Sequence, residues 1–200
     1  MNFAVLASGR GGNLKAIIDA LKSGKIKADL KVVVSDKKDA YVLEHARQAG
    51  IPAVFINPKD FSDRPSFDRA VVECLQEHKV EFIVLAGYMR LVSSYFIQQY
   101  PNKILNIHPS LLPSFKGTHA IKDAFDHGAK VTGPTVHFVV EEVDAGAIIL
   151  QEAVRIEPQD TLVTLEEKIH QAEHRIYPQA IDLFVRGKLR IEGRKTTIAL

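Results

Sequence analysis

The segment Ile104-Leu105-Asn106-Ile107-His108-Pro109-Ser110-Leu111-Leu112-Pro113 sets an amide and an imidazole two positions apart in an otherwise apolar run. Side chains of an extended strand alternate between faces, so Asn106 and His108 share one face while Leu105 and Ile107 take the other. Burying an amide and an imidazole near the middle of a sheet costs free energy unless each finds a partner. Pro109 biases His108 toward extended backbone and ends the strand there. In an open α/β sheet the carboxyl ends of strands are where ligands bind. An amide donor and an imidazole aimed into one cleft suit a reaction that builds negative charge on a carbonyl oxygen. Taken singly, each residue reads as a hydrogen-bonded structural group; only as a pair at a strand end do they put the catalytic reading level with the structural one.

A second candidate lies at Ser8-Gly9-Arg10-Gly11-Gly12-Asn13, between an apolar run and a helix-period segment. Free backbone N–H groups and the helix dipole favour an anion there, and glycine lets a phosphate approach the backbone. The competing reading is a tight turn that happens to be glycine-rich. A dinucleotide does not fit, because Leu14 stands where the third glycine belongs; Asp36 after the second strand resembles a ribose ligand but does not repair that. The P-loop lysine pattern is absent as well, which leaves a single phosphate as the better match.

His170-Gln171-Ala172-Glu173-His174 has the H-x-x-E-H form of inverted zinc peptidases, with its two histidines one helical turn apart. A catalytic zinc needs a third protein ligand and an open position. The only carboxylates after His174 are Asp182 and Glu192, neither well placed, so a solvated helix face is expected and no metal. The single cysteine, Cys74, falls at helical spacing with Ala70 and Val71 and reads as core rather than nucleophile.

The elements that must position these residues follow from apolar periodicity. Short continuous runs at Phe3–Ala7, Leu30–Val34, Ala53–Ile56, Phe82–Ala86 and Ile104–His108 read as buried parallel strands. Between them Asn13–Leu21, Ala40–Ala49 and Pro65–His78 have helical period, the last with Phe67, Ala70, Val71, Cys74 and Leu75 on one face. This rhythm predicts an α/β fold with a doubly wound, mostly parallel, Rossmann-like sheet. Val131–Val140 and Ala147–Val154 read as two strands joined by a short turn, an antiparallel extension in the carboxyl-terminal half. A last helix is expected from about Thr161 to Val185, bent at Pro178 and stopped at Gly187. With 200 residues and no linker, one domain spanning 1–200 is expected.

Charge and composition narrow the class. The net charge is +2 with both signs interspersed, and no Lys/Arg block suggests nucleic acid. No apolar run approaches the roughly 18 residues of a membrane span. The start, Met1-Asn2-Phe3-Ala4-Val5-Leu6, lacks the basic region of a signal peptide, and one thiol suits a reducing cytoplasm.

At Asn106–Pro113 the sequence resembles the folate-dependent formyltransferases, which share an N-x-H-P-S-L-L-P signature. Further matching pieces are Ser8–Asn13, Leu85–Leu91, Val143-Asp144-Ala145-Gly146 with Gln151, and Glu173-His174 with Ile176-Tyr177-Pro178, in the family's order. The likeness runs from about Phe3 to Leu189, and within the family it is nearest the branch that formylates glycinamide ribonucleotide. It implies transfer of a formyl group from 10-formyltetrahydrofolate to the amine of that ribonucleotide, a step of de novo purine biosynthesis. Asn106, His108 and Asp144 would be the catalytic trio, Asp144 favouring the charged imidazole. Gly11, Gly12 and Asn13 would hold the ribonucleotide phosphate, and Glu173 would also contact the ribonucleotide. Arg64, Met89, Arg90, Leu91, Val92 and Asn106 would bind the folate. Residues 1–100 would then be the ribonucleotide half and 101–200 the folate and catalytic half, in a monomer or homodimer. Gly12, where many relatives have serine, and Lys116 and Thr118 beside Gly117 depart from the family pattern. Methionyl-tRNA formyltransferases carry an added carboxyl-terminal domain and formyltetrahydrofolate hydrolases an amino-terminal one. A nucleotide-binding module without catalysis would explain the glycine loop but not the trio.

Overall fold

A computed structural model describes residues 1–199, as two compact units of which the second begins at Asn106. The first unit alternates strand and helix: β1 (Asn2–Leu6), α1 (Gly12–Lys22), β2 (Asp29–Ser35), α2 (Tyr41–Gln48), β3 (Ala53–Phe55), α3 (Arg64–Glu77), β4 (Phe82–Leu85) and α4 (Ser94–Gln99). The pairs β1–β2, β1–β4 and β2–β3 are all parallel. Phe3 to Leu6 are fully buried, as a strand covered on both faces requires, and this is why their sequence is apolar without alternation. The chain steps outward from β1 to β3 and then returns to the other side of β1 at β4. Right-handed crossovers in these two directions put helices on opposite faces; α1 accordingly contacts α2, and α3 contacts α4. A capping box starts α3: Asp63 Oδ1 accepts from the Ser66 amide at 2.7 Å, and the Asp63 amide donates to Ser66 Oγ at 3.3 Å.

The second unit opens within β5 (Ile104–His108) and continues with α5 (Ala120–Asp126), β6 (Val131–Thr132), β7 (Thr135–Phe138), β8 (Ile148–Gln151), β9 (Val154–Arg155), α6 (Leu162–Val185), β10 (Leu189–Glu192) and β11 (Lys195–Ile198). Seven strands form one mixed, mostly parallel sheet in the order β3-β2-β1-β4-β5-β7-β8, with helices on both sides, as the apolar rhythm predicts. The β7–β8 pair is antiparallel.

Several details differ from the expectation. Val131–Val140 is not one strand: it breaks at Gly133-Pro134, and β6 leaves to pair with β9. Gly133 has φ 143°, and a Cβ there would collide with the Glu152 carbonyl, while Pro134 has no N–H to give a ladder. The connection from Phe138 to Ile148 is longer than a short turn, and Asp144 takes a left-handed conformation (φ 53°) within it. The apolar face of α3 is built from Phe67, Val71, Val72 and Leu75, with Asp68 beside them. Cys74 is therefore half-buried at the edge of that face rather than in the core; burial still pushes its thiol pKa up, with Glu77 adding to the shift. The sequence reading also missed α4, α5 and the β10–β11 hairpin, whose turn places Gly193 at φ 61°. Helix α6 runs as one element with Pro178 inside it and stops before Gly187.

Candidate active site

Asn106 and His108 do share a face of β5, and both meet side chains from elsewhere in the second unit. His108 is 5% exposed, and its Nδ1 lies 3.4 Å from Asp144 Oδ2. Its Nε2 donates to the Phe115 carbonyl at 2.8 Å. Both ring nitrogens thus face groups that only accept, a carboxylate on one side and a carbonyl on the other. Phe115 itself has φ 50°, a costly conformation for a bulky residue. Its carbonyl is held by two donors, His108 and the Ser110 hydroxyl.

Asp144 is fixed from several sides. The Gly117 amide donates to its Oδ2 at 3.0 Å. Gly146, two residues on, lies so close to the Phe138 carbonyl that any Cβ would overlap it. Asp144 Oδ1 lies 3.7 Å from Nε2 of His137, a β7 residue only 2% exposed. This approach is no ion pair near neutral pH, since burial lowers the His137 pKa. The Phe138 carbonyl and Asp144 pull it back only in part, and His108 pushes it down further. Asn106 Nδ2 sits 3.1 Å from the same Nε2. The cluster thus combines one carboxylate, two imidazoles and one amide, mostly shielded from water.

A hydrogen-bonded layer supports the turn after β5. Thr135 Oγ1 donates to the Ser110 carbonyl at 2.6 Å and accepts from the Leu112 amide at 3.1 Å. Gln151 Nε2 donates both to the Leu112 carbonyl and to Thr135 Oγ1. Buried polar groups satisfied in this way hold one geometry.

In the first unit the glycine loop passes from β1 to α1. Gly11 caps α1 at φ 84°, and a Cβ there would meet the Val42 backbone at 3.0 Å, so the close packing requires glycine. Gly11 offers no side chain to cap this helix end and no acidic residue occupies its first turn, which keeps the terminus electropositive. The segment after β4 is tied back where the Met89 amide donates to Ser8 Oγ at 2.9 Å. Met89 and Leu91 expose apolar side chains, Val92 is half-buried, and the Arg90 guanidinium stacks on Phe67 at 4.6 Å. The buried Asp68 carboxylate accepts from the Ser93 amide at 2.6 Å and so pins the end of this segment. Arg64 is exposed in the first turn of α3.

A model of the formyl transferase family matches residues 1–181 of the chain. The chain belongs to the formyl transferase family. It is 47% identical over 179 residues to the phosphoribosylglycinamide formyltransferase of Bacillus subtilis, covering 90% of this chain and 92% of that one. It is also 47% identical to the trifunctional purine biosynthetic protein adenosine-3 of Bos taurus, covering 94% of this chain but spanning only 19% of the bovine protein. Among solved structures, glycinamide ribonucleotide transformylase 1 from Symbiobacterium toebii is 50% identical with a TM-score of 0.98, covering 100% of this chain and 94% of that one.

For this formyl transferase family member, the structure gathers Asn106, His108 and Asp144 in one cluster, and Glu173 is buried on α6. His170 and His174 are exposed while Glu173 turns inward, so the H-x-x-E-H pattern does not converge. Burial, with His170 adding to it, lowers the His174 pKa. Among the described residues no group of three His, Cys, Asp or Glu side chains is arranged to hold a metal ion. Sequence reasoning missed His137. Its one signal was a histidine in the apolar β7 run, two positions from Thr135.

Proposed function

We propose that this chain transfers the formyl group of 10-formyltetrahydrofolate to the amine of glycinamide ribonucleotide, in purine biosynthesis. The observation that carries the proposal is the Asp144 carboxylate set against His108, with Asn106 on the same strand face. The near full-length likeness to the Bacillus protein supports this choice of substrates. The amine attacks the formyl carbon, and the carbonyl π electrons move to oxygen. An N–H of Asn106 and the Nε2–H of His108 stabilise that oxyanion, His108 exchanging the Phe115 carbonyl for it. The tetrahedral centre then collapses, the bond to the folate nitrogen breaks and that nitrogen takes a proton, while the amine loses one. Asp144, 3.4 Å from Nδ1, orients the imidazole. No covalent enzyme intermediate and no metal takes part in these steps.

The binding roles are those the family resemblance implies, and local geometry suits some of them. The α1 terminus at Gly11, Gly12 and Asn13, with no acidic residue in its first turn, suits the phosphate, and Glu173 is assigned a further contact to the ribonucleotide. Met89, Leu91 and Val92 offer apolar area to a pterin ring, with Arg90, Arg64 and Asn106 as polar partners. Residues 1–100 are assigned the ribonucleotide phosphate and most of the pterin contacts, and 101–200 the chemistry. Incubating the protein with both substrates should release the deformylated folate and formylated ribonucleotide in equal amounts. Free formate without formylated ribonucleotide would overturn the proposal in favour of hydrolysis.

A further inference from the structure

His137 sits within the Asn106–Asp144 cluster, 2% exposed, with no part in the charge and proton transfers assigned to Asn106, His108 and Asp144. We infer that His137 is a positioning residue that sets which edge of the Asn106 amide meets the substrate's formyl oxygen. This rests on Asn106 being the oxyanion donor.

The hydrogen-bond pattern leads there in steps. His137 Nδ1 lies 2.8 Å from the Phe138 carbonyl, which can only accept, so Nδ1 carries a proton. In the neutral ring the other nitrogen, Nε2, then has a lone pair and no proton. The Asn106 Nδ2 group at 3.1 Å must donate to it. One amide N–H is consumed this way, and the second is held in a fixed direction for the substrate. The Phe138 carbonyl that sets the tautomer is also the one against which Gly146 packs, so the same atom anchors the turn bearing Asp144. Two other titratable groups face the ring, Asp144 from the β7–β8 connection and His108 from β5. If Nε2 gains a proton it becomes a donor facing a donor. The Asn106 nitrogen then loses its acceptor, whether Nε2–H turns to Asp144 Oδ1 at 3.7 Å or the amide turns over to present its own Oδ1, and either way the nitrogen leaves its place. Burial opposes that protonation and keeps the amide in its productive orientation near neutral pH.

Nuclear magnetic resonance of the full-length, nitrogen-15-labelled protein reads the side-chain NH2 of Asn106 directly, without substrate. In the wild type its signals should shift along with the His137 ring titration as the pH is lowered. In His137→Gln, whose amide donates to Phe138 and accepts from Asn106 but does not titrate, that shift should vanish. Turnover in His137→Gln should stay within about fivefold of wild type, while His137→Phe should lose roughly 10- to 100-fold in kcat with little change in KM. Adding His137→Phe to Asn106→Ala should cost at most about twofold more than Asn106→Ala alone, because the histidine acts through the amide. Asn106 signals that ignore the His137 titration, full kcat in folded His137→Phe, or losses that multiply in the double variant would each overturn the inference. Failure of the proposed reaction itself would appear as absent formyl transfer with the Asn106–His137 titration intact.

Discussion

Asp144 couples the residues of the cluster, with one carboxylate oxygen facing His108 and the other facing His137. Removing a preorganised donor to an oxyanion typically costs about 10²–10³ in rate, and removing an acid about 10²–10⁴. Asn106→Ala and His108→Ala should each lower kcat by amounts in these ranges while leaving the fold intact, since neither side chain fills the main apolar core. Asp144→Asn keeps the shape and removes the charge that the His108 ring faces. If the carboxylate works through His108, Asp144→Asn combined with His108→Ala should cost little beyond the worse single change. Steady-state turnover of the four proteins tests this; losses that multiply would show two independent contributions.

At the scale of elements, two backbone features make specific demands. The turn bearing Asp144 passes over the Phe138 carbonyl only because residue 146 is glycine. Gly146→Ala should force this turn away, lowering stability by about 1–3 kcal/mol, the usual cost of overpacking. The same displacement moves Asp144 off His108, so kcat should fall as well. Denaturant unfolding and turnover measured on one preparation check both outcomes; a variant as stable and as active as wild type would contradict them. The N-terminus of α1 makes a different demand, because it presents a positive dipole end with no acidic residue in its first turn. Glycinamide riboside, lacking the phosphate, should bind far more weakly than the ribonucleotide in calorimetric titration. Equal affinity for the two would remove the loop from the binding site.

Folding stability across the whole molecule should register the buried histidine. The His137 pKa is lowered in the folded protein below its ordinary value of 6.5. As pH falls below 6.5 the unfolded chain binds a proton at this residue that the folded chain resists, so stability declines with falling pH. The loss is complete once pH is below the folded pKa, and above 6.5 the residue contributes no slope. Between about pH 7.5 and pH 5 the wild-type unfolding midpoint should therefore fall more steeply than that of His137→Gln. Parallel denaturant titrations across that range decide the matter, and identical slopes would mean that His137 takes up its proton as easily when folded.

The alternation of apolar runs and helix-period segments was enough to anticipate the α/β class, the parallel strands and the last helix, because burial on both faces or on one stripe leaves a direct imprint on residue order. The shared face of Asn106 and His108 was legible for the same reason, since strand periodicity is local. The resemblance supplied Asp144. What the chain order could not reveal depends on pairings between distant segments. His137 faces Asn106 across 31 positions, and Gln151 reaches Leu112 across 39. The break at Gly133-Pro134 follows from the nearby Glu152 carbonyl, and the half-burial of Cys74 from which stripe of α3 meets the core. A polar residue inside a strand looks alike in sequence whether it is a ligand, a proton carrier or a support. Only the tertiary register sets which donor faces which acceptor, and hence which of these it is.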